Sequence, residues 1–402
     1  SVPGTLAVGD FPLIGYPISG SIGGDGLAAF QLAALPRGVV ANLYDDVVSN
    51  SVALHVAAIN PLVWRGNSGS AWDINSTTNW SLSGSPDKYL ENDNVRFDDT
   101  LTGSSTVTLG VDVNPANVTF HNTFDYTLNG THGISGPTNL SKSGGGALTI
   151  ANANTYTGTT TLDAGTLRIG DGLSDGSLAS PLVINDVNVE VNSLVSSVLS
   201  GDLSGTAFST NITKTGPGTL VLSGAANTYS GVIDINEGVV ELGNGSVNGV
   251  VGLSCTYDLA ADTTLRFNNA TAATPAWTNI TGSGALKLSS VQPVNATANW
   301  GTLSLSPSFT GTLVLEKGRA GCDSGNTALG GATKVEVNSG GQLLCFASVD
   351  PYNVPIEIGG TGWGEAGYPG ALRLAAAGAP SATWSGSVTL TADSGIMAQR
   401  TS

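Results

Sequence analysis

Residues 139–170 and 211–243 are two copies of one pattern, and this internal repeat constrains the fold more than any other feature. In NLSKSGGGALTIANANTYTGTTTLDAGTLRIG, Lys142, Gly144, Gly146, Leu148, Asn154, Thr155, Tyr156, Gly158, Gly165 and Gly170 stand where NITKTGPGTLVLSGAANTYSGVIDINEGVVELG has Lys214, Gly216, Gly218, Leu220, Asn227, Thr228, Tyr229, Gly231, Gly238 and Gly243. A looser copy at 280–318 keeps Gly282, Gly284 and Leu286, then places Phe309, Gly311 and Gly318 at the spacing of Tyr229, Gly231 and Gly238. A fourth, at 372–395, keeps Trp384 and Gly386. From Tyr156 through Tyr229 and Phe309 to Trp384 the steps are 73, 80 and 75 residues. That is too long for one supersecondary unit and fits about three coils of a β-solenoid. Each unit of such an array buries its apolar face only against its neighbours, so the 402 residues are expected to form one elongated body rather than several globular domains.

Local pattern agrees. In TTTLDAGTLRIG the alternation sends Leu162, Leu167 and Ile169 inward and Asp163 and Arg168 to water. Gly165 sits at the bend between them, as do Gly238 and Gly318 in the other copies, because glycine turns a sharp corner at no steric cost. The chain holds 55 glycines among Ser, Thr, Asn and β-branched residues, which all rank low as helix formers, so long helices are excluded and the class is all-β.

Three sections follow from the punctuation. Residues 1–60 read as short strands of β-rich coils. Residues 61–105 form an aromatic-rich β unit, with Trp64, Trp72, Trp80, Tyr89 and Phe97 falling every eight or nine residues. Large aromatics at that spacing fill a core, and the competing reading is that Trp64, Trp72 and Trp80 contact glycans by stacking on sugar rings. Residues 106–402 are solenoid. Cys255, Cys322 and Cys345 are too few for a disulfide scaffold. Cys322 and Cys345 lie 23 residues apart, about one coil, so stacked on adjacent rungs they either form a disulfide or act as small apolar fillers.

Charge and motif exclude several functions. The net charge is −16 and the 14 basic residues are scattered singly, so no stripe exists to neutralise phosphates and nucleic acid is not an expected partner. Adjacent carboxylates at Asp45-Asp46 and Asp98-Asp99 point to opposite faces of a strand and make no acid/base couple. His121, Asp125 and His132 match no standard metal spacing, and Gly170-Asp171-Gly172 does not continue into a tandem calcium-binding repeat. No phosphate loop or nucleophile motif is present, so neither a cofactor, a metal nor an enzymatic activity is expected. No apolar run reaches the length of a membrane span.

The sequence K-x-G-x-G-x-L, followed by ANTYTG and then GTL-x-x-G, closely resembles the autotransporter-associated β-strand repeat, or passenger-associated transport repeat, of large secreted bacterial surface proteins. WRG, AWD, TNW and DNVRFDD within 64–99 resemble the aromatic segment that precedes such repeats, and residues 1–60 resemble the closing coils of a preceding array. The resemblance implies a right-handed parallel β-helix, an elongated rod outside the bacterial cell or on its surface, with an adhesive or structural role. Because both ends fall within repeat-like sequence, the first expectation is a structural fibre built by head-to-tail stacking of the chain on itself. The alternative is a cell-surface adhesin or glycan-binding stalk.

Overall fold

The structure, a computed structural model, describes residues 7–17, 22, 25–185, 187–205, 210–249, 255–270, 276–290, 299–346, 350–364, 370–377 and 382–401. Helix is confined, among these, to the 3-10 segments Gly26–Ala29, Trp277–Asn279 and Gly325–Leu329. From Leu62 onward the chain winds as stacked rungs. Strand Asn117–His121 pairs in parallel with Asn94–Asp98 on one side and Asn139–Ser143 on the other, and the same holds around every face. The result is a parallel β-solenoid, as the repeat spacing required.

Rung register explains the core. Leu148, Leu167, Val189, Ile212, Ile233, Tyr257 and Ile280 are successive register partners and are all buried, so one apolar column runs through seven rungs. A second column runs from Leu220 through Val240, Leu265, Leu286, Leu313 and Val335 to Ile356. Parallel sheets usually have both sides covered. Here one side of each strand faces the interior and the other faces water, which is why strands such as Thr106–Leu109 and Val232–Ile235 alternate half-exposed and buried residues.

Three faces make up the cross-section. The first is a nine-stranded sheet that reaches Leu203–Ser204, the second a ten-stranded sheet that reaches Ile280–Gly282, and the third an eleven-stranded sheet from Ala153–Asn154 to Val388–Leu390. A five-stranded sheet from Asn299–Thr302 to Ile396–Thr401 accompanies the third face through the last rungs. The repeat does not keep to one face. In the first copy, Asn139–Ser143 lies on the first face and Ala147–Ala151 on the second; in the second copy, Asn211–Thr215 lies on the second and Thr219–Leu222 on the third. The period expected to be about three coils is therefore three turns plus one face. Tyr156 precedes a first-face strand, Tyr229 a second-face strand and Phe309 a third-face strand. The last step, to Trp384, returns to the third face.

Residues 1–60 depart from the expectation of coils. Gly9–Gly15, Ser51–Ile59 and Val39–Asp46 form a three-stranded antiparallel sheet with Ser51–Ile59 in the centre. Strands of seven to nine residues are too long for a rung side of two to six, and the Asp46–Ser51 connection is a tight turn, in which Asp46 Oδ1 accepts from the amides of Val48 and Ser49 and Asn50 takes φ 50°. Arg37 fastens this sheet to the solenoid through Asp87 and through Asp93 at 2.7 Å.

The first rungs are closed rather than bare. Leu62–Trp64 pairs in parallel with the rung above, but its other edge is occupied by the antiparallel strand Trp80–Leu82, itself paired with Ser85–Asp87. Beneath this hairpin Trp64, Trp72, Trp80, Tyr89 and Phe97 plug the end of the core.

Candidate functional site

The repeat's most conspicuous chemistry is a buried cation at its corner. Lys142 and Lys214 end inward-facing strand positions and are fully buried. Lys142 Nζ donates to the carbonyls of Ser143 and Gly144, both at 2.9 Å, and to Ala164 of the next rung at 3.2 Å. Lys214 Nζ donates to Thr215 at 2.7 Å, Gly216 at 2.6 Å and Glu237 at 3.2 Å. Ala164 and Glu237 precede Gly165 and Gly238, whose φ values are 83° and 72°. A Cβ on Gly165 would meet the carbonyl oxygens of Gly144 and Gly146 at 2.5 Å and the Lys142 ammonium at 2.8 Å. The K-x-G…G spacing is thus one device: the glycine turns the corner so that its rung's carbonyl reaches the lysine below. Burial lowers the pKa of Lys142 and pulls that of Lys214 down to about 8, while the carboxylates of Asp125 and Asp99 near Lys142, and of Glu237 and Asp175 near Lys214, oppose the shift.

Lys214→Met leaves the carbonyls of Thr215, Gly216 and Glu237 without that donor. It is expected to lower stability by about 1–3 kcal/mol, the cost of unsatisfied buried acceptors. A urea unfolding midpoint unchanged from the parent protein would contradict this role.

The sequence left both lysines unexplained, although their recurrence at one position in a chain poor in basic residues was the available signal. Tyr156, Tyr229 and Phe309 are fully buried beside their corners, and Trp384 stacks on Tyr352 with centroids 5.4 Å apart. Tyr156 Oη and Thr160 Oγ1 are 2.6 Å apart, and Tyr229 Oη donates to Thr210 O at 2.8 Å. Gly158, Gly231, Gly311 and Gly386 each sit where a Cβ would strike a carbonyl of the preceding rung. Gly318 takes φ 91°.

Two expectations about side chains are settled by burial and register. Trp64, Trp72 and Trp80 are enclosed, with ring centroids 5.0 and 5.2 Å apart in the two pairs that share Trp80, so none presents a face to a sugar and the glycan-contact reading of them is corrected. Cys322 and Cys345 are direct register partners on adjacent rungs, as their spacing suggested, but both are free buried thiols, as is Cys255. They fill the core as small apolar side chains. His121 pairs with Ser143, Asp125 accepts from the Ala147 amide and His132 lies against Thr131; no metal-ligating cluster occurs among the described residues. Asp171, in the calcium-like fragment, accepts from the amides of Leu173 and Ser174 of its own turn.

One polar groove of about 400 Å³ opens on the second face. Its floor is a row of outward side chains, Thr149, Arg168, Glu190 and Thr213, register partners on four successive rungs. Arg168 Nε donates to Glu190 at 2.7 Å, and the Gly170–Gly172 turn and Asn192 form one wall.

These features define a β-solenoid whose corners are built from a repeated lysine–glycine–aromatic set. The passenger-associated-transport-repeat family matches residues 140–169 and 212–242, so the chain carries two such repeats, at the copies described above. In an alignment 147 residues long that covers 29% of the chain, it is 31% identical to the adhesin BmaC autotransporter of Brucella suis biovar 1 (strain 1330). The match spans 4% of that protein's length. No solved structure matches the chain significantly. No helix among the described residues is long and apolar enough to cross a membrane.

Proposed function

We propose that the chain is a rigid, non-catalytic segment of a bacterial surface-displayed or secreted adhesin-type passenger, a stalk that holds its outward side chains in fixed register for adhesion. The observation that supports this reading is the set of overlapping parallel sheets that together reach from Asn94 to Leu390, carrying two passenger-associated transport repeats, with a contiguous apolar core beneath them among the described residues. Likeness to an autotransporter adhesin over part of the chain points the same way.

The fibre is the second reading. It requires an edge strand such as Val388–Leu390 to pair in parallel with a strand of a second copy, as it pairs with Ile356–Ile358 within the chain. Against head-to-tail stacking stand the antiparallel hairpin and aromatic plug at the opposite end, which offer no matching parallel rung. Electron microscopy of the purified protein, with an attachment assay using protein-coated beads on epithelial cells, separates the two. The stalk predicts single unbranched rods and bead attachment that is lost on heat denaturation. Filaments would favour the fibre, and beads that attach no better than denatured controls would overturn adhesion.

A further inference from the structure

We infer that the second-face groove binds a neutral oligosaccharide through Thr149, Arg168, Glu190, Asn192 and Thr213. The inference deepens the adhesive reading above and rests on it. Three observations carry it. First, the hydroxyls of Thr149 and Thr213 and the amide of Asn192 make no hydrogen bond within the protein among the described residues, yet they line one cavity of about 400 Å³. Unpaired donors and acceptors grouped in a concave site suit a ligand that offers hydroxyls. Second, the floor is preorganised. Arg168 and Glu190 stand on adjacent parallel strands and lock each other at 2.7 Å, with Asp125 3.5 Å from the guanidinium on the other side. Groups on strands hold position better than groups on loops, which lowers the ordering cost of binding.

Third, the geometry is repetitive. Successive rungs present side chains about 4.8 Å apart along the rod axis, a step comparable to the length of one sugar ring. A glycan lying along the axis therefore meets the row Thr149, Arg168, Glu190, Thr213 one unit per rung. Charge selects among glycans. Asp171 and Glu190 outnumber Arg168 in the groove and the whole chain carries −16, so sulfated and uronate polymers are repelled. The lining supplies no aromatic platform, so recognition runs through hydrogen bonds to hydroxyls and not through stacking.

The test is calorimetric titration of the 402-residue protein with neutral hexasaccharides of glucose, of galactose and of mannose, each alone, with a sulfated hexasaccharide as contrast. At least one neutral sugar is expected to bind and the sulfated one is not. Asn192→Ala and Thr213→Val should each weaken binding by about tenfold or more, while Thr281→Ala, outward on the same face but beyond the groove, should leave it unchanged. Near-ultraviolet circular dichroism identical to that of the parent checks that the variants are folded. Absence of binding to all three neutral sugars overturns the inference, as does binding that survives both groove variants or that prefers the sulfated sugar. If beads attach to cells while no neutral sugar binds, the groove is wrong and the adhesive reading stands. If beads fail to attach, the adhesive reading falls whatever the groove does.

Discussion

Trp72→Ala is expected to destabilise the first rungs by about 3–5 kcal/mol, the range for truncating a buried Trp or Phe. Trp72 is fully buried and its ring centroid lies 5.2 Å from Trp80, 5.4 Å from Tyr89 and 5.6 Å from Phe97, so its removal empties the middle of the plug. Its indole Nε1 has no hydrogen-bond partner among the described residues, so the loss is one of packing alone. A solenoid's stability is close to a sum of rung and interface contributions, and the variant should therefore unfold from this end while distal rungs persist. Because four of the seven tryptophans lie outside the cap, the readout is hydrogen exchange followed segment by segment in urea, in which the first rungs should lose protection at lower denaturant than the distal ladder. Trp72→Phe should recover most of the loss. A Trp72→Ala midpoint shift worth less than about 1 kcal/mol would mean that the plug does not close the core.

Alkaline unfolding is the second large effect. Burial raises Tyr89, Tyr126, Tyr156, Tyr257 and Tyr352 above the usual phenol range and Tyr229 to about 12. A phenol whose folded value lies above its unfolded value of about 10 binds its proton more tightly in the native state. Its stabilisation is complete below pH 10 and is lost as pH rises through the folded value. For Tyr229 a shift of about two units corresponds to roughly 2–3 kcal/mol, and the other tyrosines add to it. Lys214, lowered to about 8, acts in the opposite sense: its contribution is complete above the unfolded lysine value near 10.5 and is lost as pH falls through 8. Stability should therefore creep upward between pH 8 and 10 and collapse between pH 10 and 12. Tyrosinate absorbance near 295 nm should appear together with loss of strand signal by circular dichroism. Ionisation of all tyrosines near pH 10 with the fold intact would contradict their burial.

How far the sequence carried this reading depends on what each residue type encodes. Alternation of Leu, Ile and Val with Thr and Asp encodes side and period, so the all-β class, the stacked coils and the inward positions of Leu162, Leu167 and Ile169 were legible. Angular position around the axis is not encoded by spacing alone, because rung length varies; register partners are 19 residues apart from Leu148 to Leu167 but 24 from Ile233 to Tyr257. That variation hid the one-face advance of the repeat. The tryptophans were ambiguous because an aromatic carries no mark of which way it faces until its neighbours are placed. A lysine is ordinarily read as a solvated charge, and only the carbonyls gathered around Nζ show why Lys142 and Lys214 lie inside. The groove was invisible because Thr149, Arg168, Glu190 and Thr213 come together across four rungs and share no local motif.

The one-face advance also bears on how such rods behave side by side. The turn beginning at Gly170 follows a second-face strand, and its counterpart beginning at Gly243 follows a third-face strand. The two like turns therefore stand on different faces of the rod. Two parallel rods can bring one matching pair of features into contact, but the next pair has already rotated out of reach. Rods of this kind can therefore lie side by side without zipping together along their lengths.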